Sequence, residues 1–150
     1  FEWESCDITF KDTILFSNQE RHTTVMLLHL PFNAPKFILH NKNSLTTTTK
    51  QGVEYRPVSF MHNQDFDHQF YVTGESPEHL LDFLDESILD FLLKNPDYKV
   101  ESNGSTILMF KDMRFATPSS VSRRHEFSQE FIGYLMAAWK KQPLDLKTLL

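Results

Sequence analysis

Side chains suited to metal binding or acid–base chemistry are most concentrated between His62 and His68. The two histidines flank two carboxylates, Asp65 and Asp67, where a loop leads into an apolar stretch. Imidazole and carboxylate groups are both ligands that zinc accepts. His62, Asp65 and His68 are therefore the candidate metal ligands of this chain, and a metal-dependent hydrolase is the enzyme class that they would serve.

The spacing of these residues matches no standard zinc motif. A second interpretation treats the segment as a polar connection whose acids and histidines are solvated, with Phe66 and Phe70 anchoring it in the core. We favour this second interpretation. We expect no catalytic residue and no bound cofactor.

Motifs for other chemistries are missing from the sequence. The four glycines, Gly52, Gly74, Gly104 and Gly133, stand too far apart for a phosphate-binding loop, in which closely spaced glycines let backbone amides approach the anion. No Gly-x-Ser-x-Gly nucleophile motif occurs. Cys6 is the single cysteine, so it forms no intrachain disulfide, and we expect it to be a small buried residue on a strand.

The charge of the chain bears on its partners. A formal net charge of −5 argues against nucleic acid, because phosphate binding needs clustered Lys and Arg. The basic pairs Arg123-Arg124 and Lys140-Lys141 flank the two ends of a predicted helix, and cations are favoured at its C-terminal end. No apolar run approaches the ~20 residues needed to cross a bilayer. We expect contact with a membrane only through segments outside this chain.

The segment from Asp65 to Lys111 predicts a strand, a capped helix and a β-hairpin. Ser76 and Pro77 are typical of a helix start, and apolar residues recur at helical spacing from 80 to 92. Asn95-Pro96 ends the helix because the residue before proline disfavours the helical conformation. Asn103-Gly104 supplies the two positive-φ positions of a type I′ turn between two strands.

The flanking segments complete the predicted fold. Strand-like stretches at Phe1 to Phe10, Asp12 to Ser17 and Thr23 to Leu30 predict an antiparallel meander. A second helix has an apolar face that includes Phe127 and Phe131, and it ends at Gln142-Pro143. We predict one α+β domain over residues 1–150, in which an antiparallel sheet of about five to seven strands carries two main helices, in the order β-meander and then β-α-β-β-α.

Three apolar residues lie away from the main apolar face of the central helix. On a helical wheel Leu89 and Leu93 fall on one flank of that face and Phe83 on the other. If they are exposed, they mark a protein contact. We favour the alternative, in which the N-terminal meander or the tail Leu144 to Leu150 covers them, because apolar residues usually find cover in a compact domain.

The succession of motifs resembles a family of uncharacterised bacterial soluble domains. The resemblance covers most of the chain and is carried by Pro35-x-Phe37, the stretch from Phe66 to Val72, the Ser-Pro-Glu helix start, the Val-Glu-x-x-Gly hairpin and the closing helix. In that family the domain follows N-terminal membrane-spanning helices. The resemblance implies that this chain, which begins at Phe1, is a fragment of a membrane-anchored protein, and it implies no activity or site.

These observations favour a noncatalytic interaction or regulatory domain of a bacterial protein. Its partner would be another protein or a second copy of the chain, and the cytoplasmic side of the membrane is favoured because a single cysteine suits a reducing compartment. The alternative is a domain that binds a small apolar, lipid-like ligand between sheet and helices. A metal-dependent hydrolase is the least favoured of the three.

Overall fold

Seven antiparallel strands form one sheet in the part of the chain that the computed structural model describes, which comprises residues 2–12, 19–42, 55–111 and 115–142. Four helices accompany this sheet. The elements in chain order are β1 (Glu2–Asp12), β2 (Gln19–His29), β3 (Phe37–Asn41), β4 (Arg56–Val58), α1 (Gln64–Gln69), β5 (Phe70–Gly74), α2 (Pro77–Phe83), α3 (Glu86–Lys94), β6 (Lys99–Ser102), β7 (Thr106–Phe110) and α4 (Pro118–Lys141). The predicted α+β class is confirmed.

The strands follow the spatial order β1-β2-β7-β6-β3-β5-β4. β1 and β2 form a long hairpin, paired from Glu2 opposite His29 to Asp12 opposite Gln19. β3 pairs with β6 and β5. The first and third stretches of the predicted meander correspond to β1 and β2, which are direct neighbours in the sheet. The three-residue strand β4, with Pro57 at its centre, lies at the opposite edge, where a missing backbone donor is tolerated.

Alternate residues of the central strands divide the sheet into two faces. Met26 and Leu28 on β2 and Ile107 and Met109 on β7 are fully buried and belong to the main core cluster. We call the face that carries these four residues the inner face. Because successive side chains of a strand point to opposite sides, the residues between them lie on the outer face.

Helix α4 packs on the inner face. The hydroxyl of Ser128 lies 3.4 Å from the sulfur of Met26, and the ring of Phe127 stacks on that of Tyr98 with centroids 3.8 Å apart. Phe127 also stacks on Phe91 of α3, at 5.1 Å between ring centroids. Aromatic rings thus fill the contact between the sheet and the two longer helices.

The segment before β5 is a helix, which corrects the predicted strand from Phe66 onward. The side chain of Asn63 accepts a hydrogen bond from the backbone N–H of Phe66 and so caps α1. Phe66 and Phe70 are four residues apart and stack with ring centroids 4.8 Å apart, and both are buried.

The single predicted central helix is interrupted between Phe83 and Glu86. Asp85 adopts an extended conformation, and its carboxylate accepts the backbone N–H of Ile88, so α3 begins with a new cap. The break changes the relative orientation of the two helical faces, and a wheel drawn for one continuous helix is therefore wrong. Phe83 and Leu89 are only 1% and 0% exposed, and Leu93 packs partly buried against the core.

The turn between β6 and β7 differs by one residue from the prediction. Ser102 pairs with Ile107 and the N–H of Asn103 donates to the carbonyl of Thr106, so Gly104 and Ser105 are the two central residues. Gly104 has a φ of 108° at the first central position. That is the position at which a type II′ turn takes glycine, whereas the prediction placed Asn103 there.

Thr117 and Pro118 form the N-terminal end of helix α4. The side chain of Thr117 accepts a hydrogen bond from Ser120 N, and Pro118 is the first helical residue. Arg124 is therefore inside the helix, whereas the sequence placed the Arg123-Arg124 pair beside the helix start, and it is 3% exposed. The predicted tail at Leu144 to Leu150 lies outside the described residues, as does the predicted strand from Asp12 to Ser17 apart from Asp12, which ends β1.

Candidate functional site

The segment from His62 to His68 is organised around helix caps and turns. Nε2 of His62 lies 3.2 Å from Oε2 of Glu86 on α3, and Nδ2 of Asn63 donates to Oε1 of the same carboxylate over 2.8 Å. Asp67 accepts hydrogen bonds from the hydroxyl of Ser59 and the backbone N–H of Phe60, at 2.6 and 2.7 Å. These contacts tie the loop to α1 and α3.

The candidate metal ligands are not assembled as a set. Asp65 and His68 are exposed on α1, and His62 faces Glu86 on α3. In the part of the chain that the structure describes, no group of three or more His, Cys, Asp or Glu side chains is arranged to hold a metal ion. The contacts described above account for the positions of His62, Asn63 and Asp67.

The aromatic residues that the small-ligand interpretation places around a cavity pack against each other. Phe60 meets Phe66 edge to face at 5.1 Å between ring centroids, and Phe91 lies 6.0 Å from Phe131. Such ring pairs stabilise a core beyond the area that they bury.

Four apolar side chains lie together on the outer face of β2 and β7. Val25 pairs directly with Phe110, and Leu27 pairs directly with Leu108. Residues directly opposite each other in antiparallel strands have their Cβ atoms about 4.5–5.5 Å apart, so the four side chains form one contiguous group. We call Val25, Leu27, Leu108 and Phe110 the outer patch.

The outer patch is separate from the core. None of its four residues belongs to the core cluster or packs against it among the described residues, whereas their strand neighbours Met26 and Met109 do. Val25 is buried between its cross-strand neighbours Cys6 and Phe110, while Leu27, Leu108 and Phe110 are half-buried. Apolar atoms of central strands thus stay in contact with water on the side opposite α4.

Polar residues of β6 border the outer patch on one side. Lys99 pairs with Phe110, and its Nζ lies 5.4 Å from the centre of that ring, within the range of a cation–π contact. Burial lowers the pKa of Lys99, because desolvation disfavours its charged form. Glu101 of β6 pairs with Leu108 of β7 on one side and with Ile38 of β3 on the other.

Tyr55 shares this border with Glu101. Its pKa is raised first by burial and then by the negative charges of Glu75 and Glu101, all of which favour the neutral phenol. A neutral hydroxyl can both donate and accept hydrogen bonds. The border therefore combines a cation, an anion and a phenol beside an apolar surface.

Strand β1 borders the outer patch on the other side. Glu4 pairs with Leu27 and lies 3.6 Å from the imidazole of His29, and Cys6 pairs with Val25. Ile8, the next residue on this face, is 36% exposed. An apolar centre with a polar, charged rim is the composition that marks many protein contacts.

The sequence offered Phe83, Leu89 and Leu93 as contact residues only if they were exposed and favoured their being covered, and it did not identify the outer patch. Phe83 and Leu89 are core residues, so neither is available to a partner, and Leu93 is largely covered. The signal for the outer patch was the nearly unbroken apolar run of β7, Thr106–Phe110. In an antiparallel strand with one covered face, such a run places apolar side chains on the other face too.

Comparison of the chain with protein-family models, with curated proteins and with solved structures finds no match. Within the described ranges, no helix combines the length and the apolar character needed to cross a membrane. The fold and the outer patch together define an α+β domain whose sheet is covered by α4 on one face and presents apolar residues on the other.

Proposed function

We propose that this chain is a noncatalytic interaction or regulatory domain that binds a protein partner through the outer face of its sheet. The observation that carries the proposal is the outer patch, in which Leu27, Leu108 and Phe110 are half-buried on the side opposite α4. A partner that covers these side chains gains roughly 25 cal/mol for each Å² of apolar surface removed from water.

The rim supplies specificity to such a contact. Lys99 and Glu101 are two residues apart on β6, so their side chains lie on the same face of the sheet. Glu4 lies on β1, at the opposite border of the outer patch. A partner must match this arrangement of charges as well as the apolar centre, since unmatched charges at an interface are penalised. The resemblance of the sequence to bacterial membrane-anchored proteins extends the proposal to a domain anchored through other segments, on the cytoplasmic side.

The test compares three forms of the chain in a quantitative capture experiment. The first is the wild type, and the second carries Leu27→Thr and Leu108→Thr, which remove apolar surface and keep a residue that favours strands. The third carries Leu81→Gln, a change at a residue that is 39% exposed on α2, away from the outer patch. Each is immobilised and exposed to an extract of the cells that produce the protein.

We expect the same partner on the wild type and on Leu81→Gln, and at least about tenfold less of it on the double variant, which corresponds to ~1.4 kcal/mol. Circular dichroism and urea denaturation establish that all three forms are folded. The thiol of Cys6, which lies opposite Val25, supplies an independent readout, because a bound partner should slow its reaction with a soluble thiol reagent. Equal retention of every bound protein on the three folded forms overturns the proposal.

A further inference from the structure

The two edges of the sheet differ in their capacity to accept another strand. β4 is three residues long and contains Pro57, so it offers few backbone donors and little length. β1 is eleven residues long and has β2 as its single described neighbour. A long edge strand presents a row of backbone N–H and C=O groups on its outer side, which is a template for pairing with an additional strand.

The charges of β1 indicate which strand fits. Glu2, Glu4 and Asp7 are exposed carboxylates, and no basic side chain occurs between residues 2 and 9. In an antiparallel pair, like charges directly opposite each other are destabilising and opposite charges are favourable. A second copy of β1 would bring three further carboxylates to this edge, whereas a strand with Lys or Arg would place cations beside them.

The edge also continues the outer face. Cys6 and Ile8 of β1 lie on the same side as the outer patch, one strand away from Val25 and Leu27. A strand added to β1 would place every second side chain on this side of the sheet, next to Cys6 and Ile8. The partner's contact would then run without a gap from the added strand to the outer patch.

We propose that β1 accepts an extended segment of the partner, rich in Lys and Arg, which adds as an antiparallel or parallel strand at this edge. The inference rests on the proposed function and names the kind of partner that the surface selects. Backbone hydrogen bonds to β1 provide the pairing. Glu2 and Glu4, on the same side of the sheet as the outer patch, select basic side chains, and Ile8 on that side provides an apolar contact. Asp7 adds a carboxylate on the opposite side, where it also accepts the hydroxyl of Thr24.

A synthetic peptide serves as the probe for the full chain. The peptide alternates Lys with Val over about ten residues, which is long enough to span β1. Its control replaces each Val by Pro, which keeps the charge, removes every second backbone donor and disfavours a regular paired strand. Amide hydrogen exchange measured by NMR should show protection at alternate residues of β1 with the Lys-Val peptide and none with the Lys-Pro peptide. Equal binding of the two peptides, or protection confined to residues outside β1, overturns the proposal.

Charge variants give a second measurement with a matched control. The pair Glu2→Lys and Glu4→Lys should weaken binding of the Lys-Val peptide by about tenfold or more at low salt, because the attraction becomes repulsion within a Debye length of ~10 Å. The pair Glu126→Lys and Glu130→Lys makes the same change in net charge at exposed positions of α4 and should leave the affinity within about twofold. If both pairs of substitutions weaken binding of the Lys-Val peptide equally, the peptide is attracted by the net charge of the chain alone, and the proposal is overturned.

The same variants separate this inference from the proposed function. If the captured partner is lost by Leu27→Thr with Leu108→Thr and is kept by Glu2→Lys with Glu4→Lys, the outer patch binds the partner and β1 does not accept its strand. Sedimentation of the wild type adds a further outcome. A dimer that Glu2→Lys with Glu4→Lys disrupts would make a second copy the occupant of β1 and would overturn the inference.

Discussion

Arg124 donates a hydrogen bond from Nη1 to the backbone carbonyl oxygen of Thr24 over 3.0 Å, across 100 positions of sequence. The hydroxyl of Thr24 in turn accepts the backbone N–H of Ala116 at 2.7 Å and donates to Asp7 at 2.5 Å. One residue of β2 thus connects the edge strand, the start of α4 and a buried guanidinium. Burying a guanidinium is costly unless its donors are engaged, and the carbonyl of Thr24 engages Nη1 of Arg124.

Replacing Arg124 should therefore destabilise the fold. We expect Arg124→Ala to lower the free energy of unfolding by about 2–3 kcal/mol, because it leaves the carbonyl of Thr24 unsatisfied and removes packed methylene groups. Arg123→Ala removes the same charge from the adjacent exposed position and should stay within about 0.5 kcal/mol of the wild type. Urea denaturation measures both values, and equal effects of the two changes would contradict the structural role of Arg124.

Two glycine substitutions should have effects of opposite sign. Gly104 has a φ of 108°, which is unfavourable for a residue with a side chain. A Cβ added there would meet no atom closer than the carbonyl oxygen of Ala34 at 3.7 Å, so the cost of Gly104→Ala comes from backbone strain and not from a clash. We expect a loss of roughly 1–2 kcal/mol. Gly133 lies exposed within α4 with no described atom within 4 Å of the added Cβ, so Gly133→Ala should gain about 0.5–1 kcal/mol.

Thermal and urea denaturation of the two glycine variants provide the comparison. A stabilised Gly104→Ala would show that the β6–β7 turn does not adopt the left-handed conformation. A destabilised Gly133→Ala would show that another element approaches the back of α4.

The two aspartates of the candidate metal segment should differ in their structural importance. Asp67→Ala removes the acceptor of Ser59 and of the Phe60 N–H, and we expect a loss of about 1–2 kcal/mol. Asp65→Ala changes an exposed side chain and should stay within about 0.5 kcal/mol. Isothermal titration with zinc completes the test, since stoichiometric binding that Asp65→Ala abolishes would restore the metal interpretation.

Tyr98 should make stability depend on alkaline pH. Burial raises the pKa of its phenol above the ordinary 10.0, and the charges of Arg124 and Arg123 oppose part of that rise. Below pH 10.0 the phenol is neutral in both states and its contribution is fully present. As the pH rises further, the unfolded chain loses the proton first, so the free energy of unfolding falls until the pKa of the folded state is passed.

The comparison of Tyr98→Phe with the wild type isolates this effect. The variant should lose less stability than the wild type between pH 10.0 and the folded-state pKa, in urea denaturation at matched pH values. Its near-ultraviolet titration should lack one of the phenols whose pKa lies above the ordinary value. In Arg124→Ala, where the opposing charge is gone, the pKa of Tyr98 should rise further. Parallel stability curves for wild type and Tyr98→Phe would contradict the burial of an un-ionised phenol.

The sequence by itself determined the features that depend on neighbouring residues. The α+β class, the helix start at Pro77 and the hairpin between β6 and β7 all follow from caps, turns and periodicity. Each of these features is stabilised by interactions between residues that are only a few positions apart in the sequence. The interruption at Asp85 also has a local cause, because an aspartate three positions before Ile88 can cap a new helix. The apolar residues continue at helical spacing through this point, so the sequence pattern did not indicate the break.

Only the tertiary structure decided which apolar and charged residues are covered. Phe83 and Leu89 are core residues because the break in the helix reorients them, and Arg124 is buried because β2, from the other end of the chain, passes beneath it. The outer patch likewise depends on β2 and β7 becoming neighbours, although some 80 residues separate Val25 from Phe110 in the chain. Periodicity shows that a strand has two faces, but which face a helix covers depends on contacts between residues far apart in sequence.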